Sequence, residues 1–409
     1  MYRMRCVRFS DLEVRSVDVW RGPHCQGDSD IHPVLAGIGC ISLAIYILAC
    51  STSFSPDDSR VLYLAFDPDS GAQSVAVYDR ENGSSETVFT ALGPREANGD
   101  PDIFRAQWLP DGKHVLVASA GKGNGVEFFV IPYHINEPLR HFVLSNMKVP
   151  PSFVYPFVVI GSQLFFSGPD KSVERMDLMT GETTTRELSN ETMVLPDPDG
   201  KTIVGFQPTE DDPDRAELGS IDPQTLQFKP AVVLVSKVSE GTFPAFNPRK
   251  GQIAVISALG ERRELQIFEN GGLKFTRALT RGDEKLAVGP FLDITPGGDR
   301  VLTMYRRLLG EETNAEYGLL EIPLNDVDPL RFTPLFRMKP KSDEELMLAQ
   351  PSLSHDGRTW AVATTNLCLD NEALKPEDCA LYLVDVRKSV RPVNKVAIKP
   401  PPRRGAEEK

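Results

Sequence analysis

"FSPDDSRVLYLAF" (Phe54–Phe66) places an aromatic residue before a tight turn and an apolar run after it. Pro56 holds one φ near −65°, and Asp57-Asp58 tolerates the conformations needed next. The run from Val61 is rich in residues that suit a strand, and its length predicts a single strand rather than a helix. The same phrase returns along the chain as "WLPDGKHVLVAS" from Trp108, "LPDPDGKTIVGF" from Leu195 and "FNPRKGQIAVIS" from Phe246. It returns again as "ITPGGDRVLTMY" from Ile294 and "LSHDGRTWAVAT" from Leu353, while "VVIGSQLFFS" from Val158 is a worn copy without Pro or Asp.

Each copy has a second half. "SVAVYDRENG" from Ser74, "VEFFVIPYHINE" from Val126, "SVERMDLMTGE" from Ser172 and "ALYLVDVRK" from Ala380 are further strands that end in an acidic or turn residue. A short strand such as "SETVFTAL" from Ser85 closes the unit. Seven units at a spacing of about 49 residues, four short strands in each, predict blades of a β-propeller. A single blade cannot bury both its faces, whereas seven in a ring can. The expectation is therefore an all-β chain, a seven-bladed β-propeller of four-stranded antiparallel blades over residues 50–395. A leader or membrane anchor precedes it over 1–49, and a Pro-rich, charged tail occupies 396–409. The residues before the first strand are an apolar leader, so no N-terminal strand is expected to be lent to the last blade.

The "FSPDD", "WLPDG" and "LSHDG" turns resemble those of the TolB-type repeat, a relative of WD40-like blades. The resemblance covers all seven units. It implies the propeller fold, and it is shared by TolB-like periplasmic proteins and by the propeller domains of prolyl-oligopeptidase-type peptidases. Such peptidases also need a Gly-x-Ser-x-Gly nucleophile elbow, and no such pentapeptide occurs here.

Composition narrows the partners. The chain has 409 residues, 41% of them hydrophobic, and a formal net charge of −12. That charge repels phosphate backbones, so nucleic acid is not an expected partner. The longest apolar run is "VLAGIGCISLAIYILA" (Val34–Ala49), shorter than the roughly 20 residues a membrane-crossing helix needs. Arg3, Arg5, Arg8, Arg15 and Arg21 precede it, which favours a cytoplasmic N-terminus and export of the chain beyond the run. Leu48-Ala49-Cys50 resembles a bacterial lipobox, which implies lipidation at Cys50. An uncleaved apolar anchor that contains Cys50 is the alternative. Either predicts a membrane-anchored chain on the periplasmic or extracytoplasmic side of a bacterial cell envelope.

Of the six cysteines, cleavage before Cys50 would remove three and lipidation would use Cys50, leaving Cys368 and Cys379 as a pair. In an oxidising compartment they are expected to form a disulfide worth about 3 kcal/mol if unstrained. Two unrelated thiols or a metal pair are the alternatives, and no second Cys or His cluster lies nearby to complete a metal site.

Chemistry is sparse elsewhere. His114, His134, His141 and His355 fall at turns or strand ends without metal-ligand spacing, so they read as surface or turn histidines. "DPDSG" from Asp67 and "EDDPD" from Glu210 read as solvated hairpin loops, and "GKGNG" from Gly121 as a hairpin tip. No metal and no cofactor is expected. Propellers bind ligands where their innermost strands converge, and the polar residues near those strands are Arg105, Gln107, Asp293 and Gln350. The reading is a monomeric, non-catalytic scaffold that binds another envelope protein or a glycan. The alternative is a lyase- or lactonase-type propeller enzyme acting at the channel mouth.

Overall fold

The computed structural model describes residues 52–398 except 67–72, 91–102, 121–125, 145–156, 169–170, 191, 197–202, 210–215, 235–243, 248–249, 260–261, 270–271, 280–285, 309–314, 339–350, 365–378 and 388–392. The leader, Cys50, the "DPDSG", "EDDPD" and "GKGNG" motifs and residues 399–409 lie outside the described residues.

Seven four-stranded antiparallel sheets succeed one another along the chain. Blade 1 holds Thr52–Phe54 (β1), Arg60–Phe66 (β2), Gln73–Asp79 (β3) and Ser85–Thr90 (β4). Blade 2 holds Ile103–Trp108 (β5), His114–Ala120 (β6), Val126–Pro132 (β7) and Arg140–Leu144 (β8). Blade 3 holds Val158–Ile160 (β9), Gln163–Ser167 (β10), Ser172–Asp177 (β11) and Thr183–Glu187 (β12). Blade 4 holds Met193–Pro196 (β13), Ile203–Pro208 (β14), Ala216–Ile221 (β15) and Phe228–Leu234 (β16). Blade 5 holds Ala245–Asn247 (β17), Gln252–Leu259 (β18), Arg262–Glu269 (β19) and Gly272–Ala278 (β20). Blade 6 holds Leu286–Ile294 (β21), Arg300–Leu308 (β22), Ala315–Pro323 (β23) and Arg331–Met338 (β24). Blade 7 holds Ser352–Leu353 (β25), Thr359–Ala363 (β26), Ala380–Asp385 (β27) and Val393–Ala397 (β28). The chain is a seven-bladed β-propeller, and among the described residues it has no helix. The worn repeat from Val158 forms a full blade, because its strands keep their apolar pattern even though its turn has lost Pro and Asp.

Every blade is a meander with its strands in chain order, and the first strand of each lies innermost. β1 meets both β5 and β25, β9 meets β13, and β17 meets β21. Blade 1 and blade 7 are each built from consecutive segments, so among the described residues no strand is exchanged to close the ring.

Core and edge result from this plan. The molecule has no single central core. Seven apolar clusters each fill the gap between successive blades, from Leu62, Val75, Trp108 and Val117 between blades 1 and 2 to Val61, Tyr63, Ala361 and Leu381 between blades 7 and 1. Second and third strands are therefore buried on both faces, as in β23, where all nine residues are buried. Outermost strands have one unpaired edge, and the most polar of them, β12, reads TTTRE and is exposed throughout. Charged and hydroxylated edges of this kind resist pairing with other chains.

The repeated turn is held by its own side chains. In blade 1 the Ser55 hydroxyl accepts the Arg60 N–H at 2.9 Å, and Asp57 accepts from the Ser55 hydroxyl at 2.6 Å and the Ser59 N–H at 3.1 Å. Those bonds, the Ser55 one foremost, hold the Asp57 carboxyl down at about 2. Ser354 and Asp356 repeat the arrangement in blade 7. The fourth turn residue lies in the left-handed region, with φ of 65° at Gly112, 62° at Gly298 and 67° at Gly357. Blade 1 has Asp58 at that position, at φ 59°.

Candidate functional site

The turn fixes a common register for the innermost strands. Ser53, Gln107, Asp293 and Ser352 each stand one residue before the apolar residue that leads into the turn. Successive strand side chains point to opposite faces, so these four share a direction, toward the next blade. The contacts agree with this. Ser53 Oγ accepts the Trp108 N–H of β5 at 3.2 Å, and Ser352 Oγ lies 3.0 Å from Thr52 Oγ1 of β1. All four are partly exposed, at the inner end of a gap between blades.

Two of the residues singled out in the sequence stand on β5. Arg105 faces blade 3, with its guanidinium carbon 4.2 Å from the centre of the Phe157 ring. Burial pulls its pKa down to about 10. Among the described residues it has no hydrogen-bond acceptor and no carboxylate partner. Gln107, two residues on and on the same face, likewise makes no side-chain hydrogen bond among the described residues. Asp293, on β21, sits in the gap between blades 6 and 7 beside Trp360, which is fully buried in β26. Burial pushes the Asp293 carboxyl up to about 7, and the Trp360 indole N–H opposes that shift. Gln350 lies outside the described residues. The structure therefore places Arg105 and Gln107 together and puts Asp293 in a different gap of the same ring.

His134, His141 and His355 are exposed, in line with surface or turn positions, and His114 is not. His114 is buried, with Nδ1 2.6 Å from Asp111 and Nε2 3.2 Å from Glu137. His134 meets Glu86 at 2.8 Å, His141 meets Glu127 at 2.9 Å, and His355 meets Asp58 at 2.8 Å. The correction applies to His114 alone, which opens β6 and is covered by the neighbouring hairpin. Among the described residues no group of three or more His, Cys, Asp or Glu is arranged to hold a metal ion.

Sequence reasoning missed two features. Trp360 as the neighbour of Asp293 depends on packing between blades and has no sequence signal. In blade 6, the buried Glu316 accepts from Tyr305 Oη and Arg307 at 2.8 Å each, and burial together with this carboxylate raises the Tyr305 pKa. An acidic residue inside an apolar strand was its available signal.

No family model matches the chain, and no curated protein matches it. Solved structures of similar fold include the Dos1 propeller, 9% identical with a TM-score of 0.46, the match covering 85% of this chain and 84% of that one. The β-propeller domain of the Trilobed protease from Pyrococcus furiosus is 12% identical with a TM-score of 0.45, covering 68% and 81% respectively. TolB from Acinetobacter baumannii is 15% identical with a TM-score of 0.42, covering 84% of this chain and 65% of that one.

Proposed function

We propose that this chain is a non-catalytic binding scaffold of the bacterial cell envelope, using the inner end of its ring to hold another envelope protein or a glycan. The observation that carries the reading is the set Arg105, Gln107 and Asp293. These are half-buried polar groups on innermost strands, and the side chains of Arg105 and Gln107 make no hydrogen bond among the described residues. Such groups cost stability unless something completes them, and perturbed ionisable groups of this kind mark binding sites. The scaffold itself is rigid, because each gap between blades is filled by its own apolar cluster.

In this reading the protein is a monomer held at the membrane by lipidated Cys50 and stapled in blade 7 by a Cys368–Cys379 bridge. The arginine-flanked apolar run supports the first. For the second, Cys379 is buried just before β27, while Cys368 lies outside the described residues. The test is affinity capture from detergent-solubilised envelopes with the full chain. Wild type is expected to retain a partner that the Arg105→Gln and Asp293→Asn variants lose. Equal capture by wild type and both variants would remove the inner end of the ring as the binding face.

One observation favours a second reading, a propeller enzyme. A carboxyl with a pKa of about 7 is suited to general acid–base catalysis near neutral pH. Under that reading Asp293→Asn abolishes turnover of a bound substrate and leaves its affinity nearly unchanged.

A further inference from the structure

We propose that Arg105, Gln107 and Phe157 form a subsite for a single carboxylate at the inner end of the gap between blades 2 and 3. The proposal rests on the reading of the ring's inner end as the binding face, and it names the chemistry that one wall of that face selects.

The argument begins with the guanidinium. Phe157 covers one of its faces at 4.2 Å, a cation–π contact that orients the plane and leaves the edge N–H groups for another partner. No acceptor among the described residues takes them. Asp293, the other enclosed ionisable group on an innermost strand, is committed to the gap between blades 6 and 7 and forms no ion pair with Arg105. Arg105 has thus been taken partly out of water, as its lowered pKa reflects, without a counter-charge among the described residues to repay the cost.

Gln107 supplies the second donor. It lies two residues along the same face of β5, roughly 7 Å away at the rise of an extended strand. Its amide has no competing side-chain partner among the described residues. A planar guanidinium fork and an amide N–H matched along one strand fit a planar carboxylate, with both of its oxygens occupied.

The charge count selects a carboxylate over a phosphate. One cation on a chain of net charge −12 can balance a singly charged group. A phosphate ester carries up to two charges, and its recognition sites gather several basic groups or a row of backbone N–H donors. None is assembled around Arg105 among the described residues. The carboxylate could belong to a small free acid or to the C-terminus of a peptide, and the experiment separates these.

Calorimetric titration of the intact protein at low ionic strength would use three probes: propionate, a short peptide with a free C-terminal carboxylate, and the same peptide amidated. The expected result is binding of at least one carboxylate probe, with the amidated peptide weaker by about tenfold or more. Preference for the peptide acid over propionate assigns a chain terminus, and the reverse assigns a small acid. Arg105→Gln is expected to reduce carboxylate binding by about tenfold or more. Arg105→Lys keeps the charge without the fork and should fall between. Because Arg105→Lys and the acid–amide comparison do not rely on Arg105→Gln, a poorly folded Gln variant leaves the test intact. Equal binding of acid and amide, or wild-type affinity in a folded Arg105→Gln protein, would overturn the subsite. If envelope capture still depended on Asp293 in that case, the binding-face reading would survive the loss of this one.

Discussion

Three seams of the ring differ at a pair of turn residues. Between blades 1 and 2, Gly112 stands at the left-handed turn position against Pro56; a Cβ there would lie 3.7 Å from the proline ring. Between blades 6 and 7, Gly357 stands in the same relation to Pro296, more tightly, at 2.6 Å. Between blades 7 and 1 both residues are replaced together. The glycine position is Asp58 and the proline position is His355. The Asp58 carboxylate accepts from the His355 N–H at 2.9 Å, from His355 Nδ1 at 2.8 Å and from the Asp356 N–H at 3.0 Å. Proline would have no N–H to give, and glycine no carboxylate to receive it. Arg80 adds a bond to Thr359 of blade 7 at 2.7 Å and steadies the Asp58 carbonyl.

The difference has a physical cause. Six seams join blades that are neighbours along the chain, so their faces meet at little entropic cost. The seventh joins the two ends of the whole ring, and closing a longer loop costs more. Among the described strands none is exchanged to tie the ends, and at this seam a carboxylate with three donors reinforces the packing, where the seams between blades 1 and 2 and between blades 3 and 4 use the single hydroxyls of Ser53 and Ser167.

The largest effect on this comparison should come from removing the outer strand of blade 7. Truncation before Ser389 deletes β28 and Ile398, which belongs to the apolar cluster between blades 7 and 1. A loss of more than about 3 kcal/mol is expected, seen as a lower, still cooperative melting transition. An unchanged melting temperature would mean that the closing seam does not need the strand.

Next come the glycine seams. Gly357→Ala should cost about 2–3 kcal/mol, since a Cβ meets Pro296 and the residue has φ 67°. Gly112→Ala has the same backbone strain at φ 65° but open contact distances, and should cost about 1 kcal/mol. Chemical denaturation of the two variants compares them directly, and equal losses would show that contact between turns is unimportant.

The closing seam gives a double-mutant cycle. Asp58→Gly and His355→Pro should each cost about 1–2 kcal/mol through lost hydrogen bonds. Combined, they recreate the glycine–proline pair of the other seams, so the double variant should cost at least about 0.5 kcal/mol less than the sum. Strict additivity would separate the two residues energetically and end the idea of a lock.

The smallest effect concerns pH and distinguishes the seam between blades 6 and 7. The Asp293 carboxyl is raised from 3.8 to about 7, so between those values the folded state holds a proton that the unfolded state has released. Stability then falls as pH rises through that window and levels off above it. Asp293→Asn should match wild type near pH 4 and exceed it above pH 7, by about 1 kcal/mol after screening by water at the inner end of the gap. Parallel pH–stability curves would remove the burial cost assigned to this residue.

Much of the ring was legible in the chain because its signals are local. Ser55, Pro56 and Asp57 act within a single turn, through bonds spanning two to five residues, and their recurrence counts the blades. The lock between blades 7 and 1 was visible in part: "FSPDD" lacks the glycine of "WLPDG", and "LSHDG" lacks its proline. Nothing in either phrase says that the two departures meet. The histidine–carboxylate pairs were harder still. His114 and Glu137 are drawn together by the pairing of β6 with β7 and the hairpin beyond it, so a reading confined to short spacings misses them.

The blade count, the four-strand repeat, the turn chemistry and the absence of an exchanged strand among the described residues are all written along the chain. Each depends on alternation, turn residues or chain order, which act over a few residues at a time. That Asp58 faces His355, that Phe157 underlies Arg105 and that Trp360 lies beside Asp293 emerges only in the folded ring. These contacts join residues from different blades: packing of successive blades brings Phe157 to Arg105 and Trp360 to Asp293, and closing the ring brings Asp58 to His355.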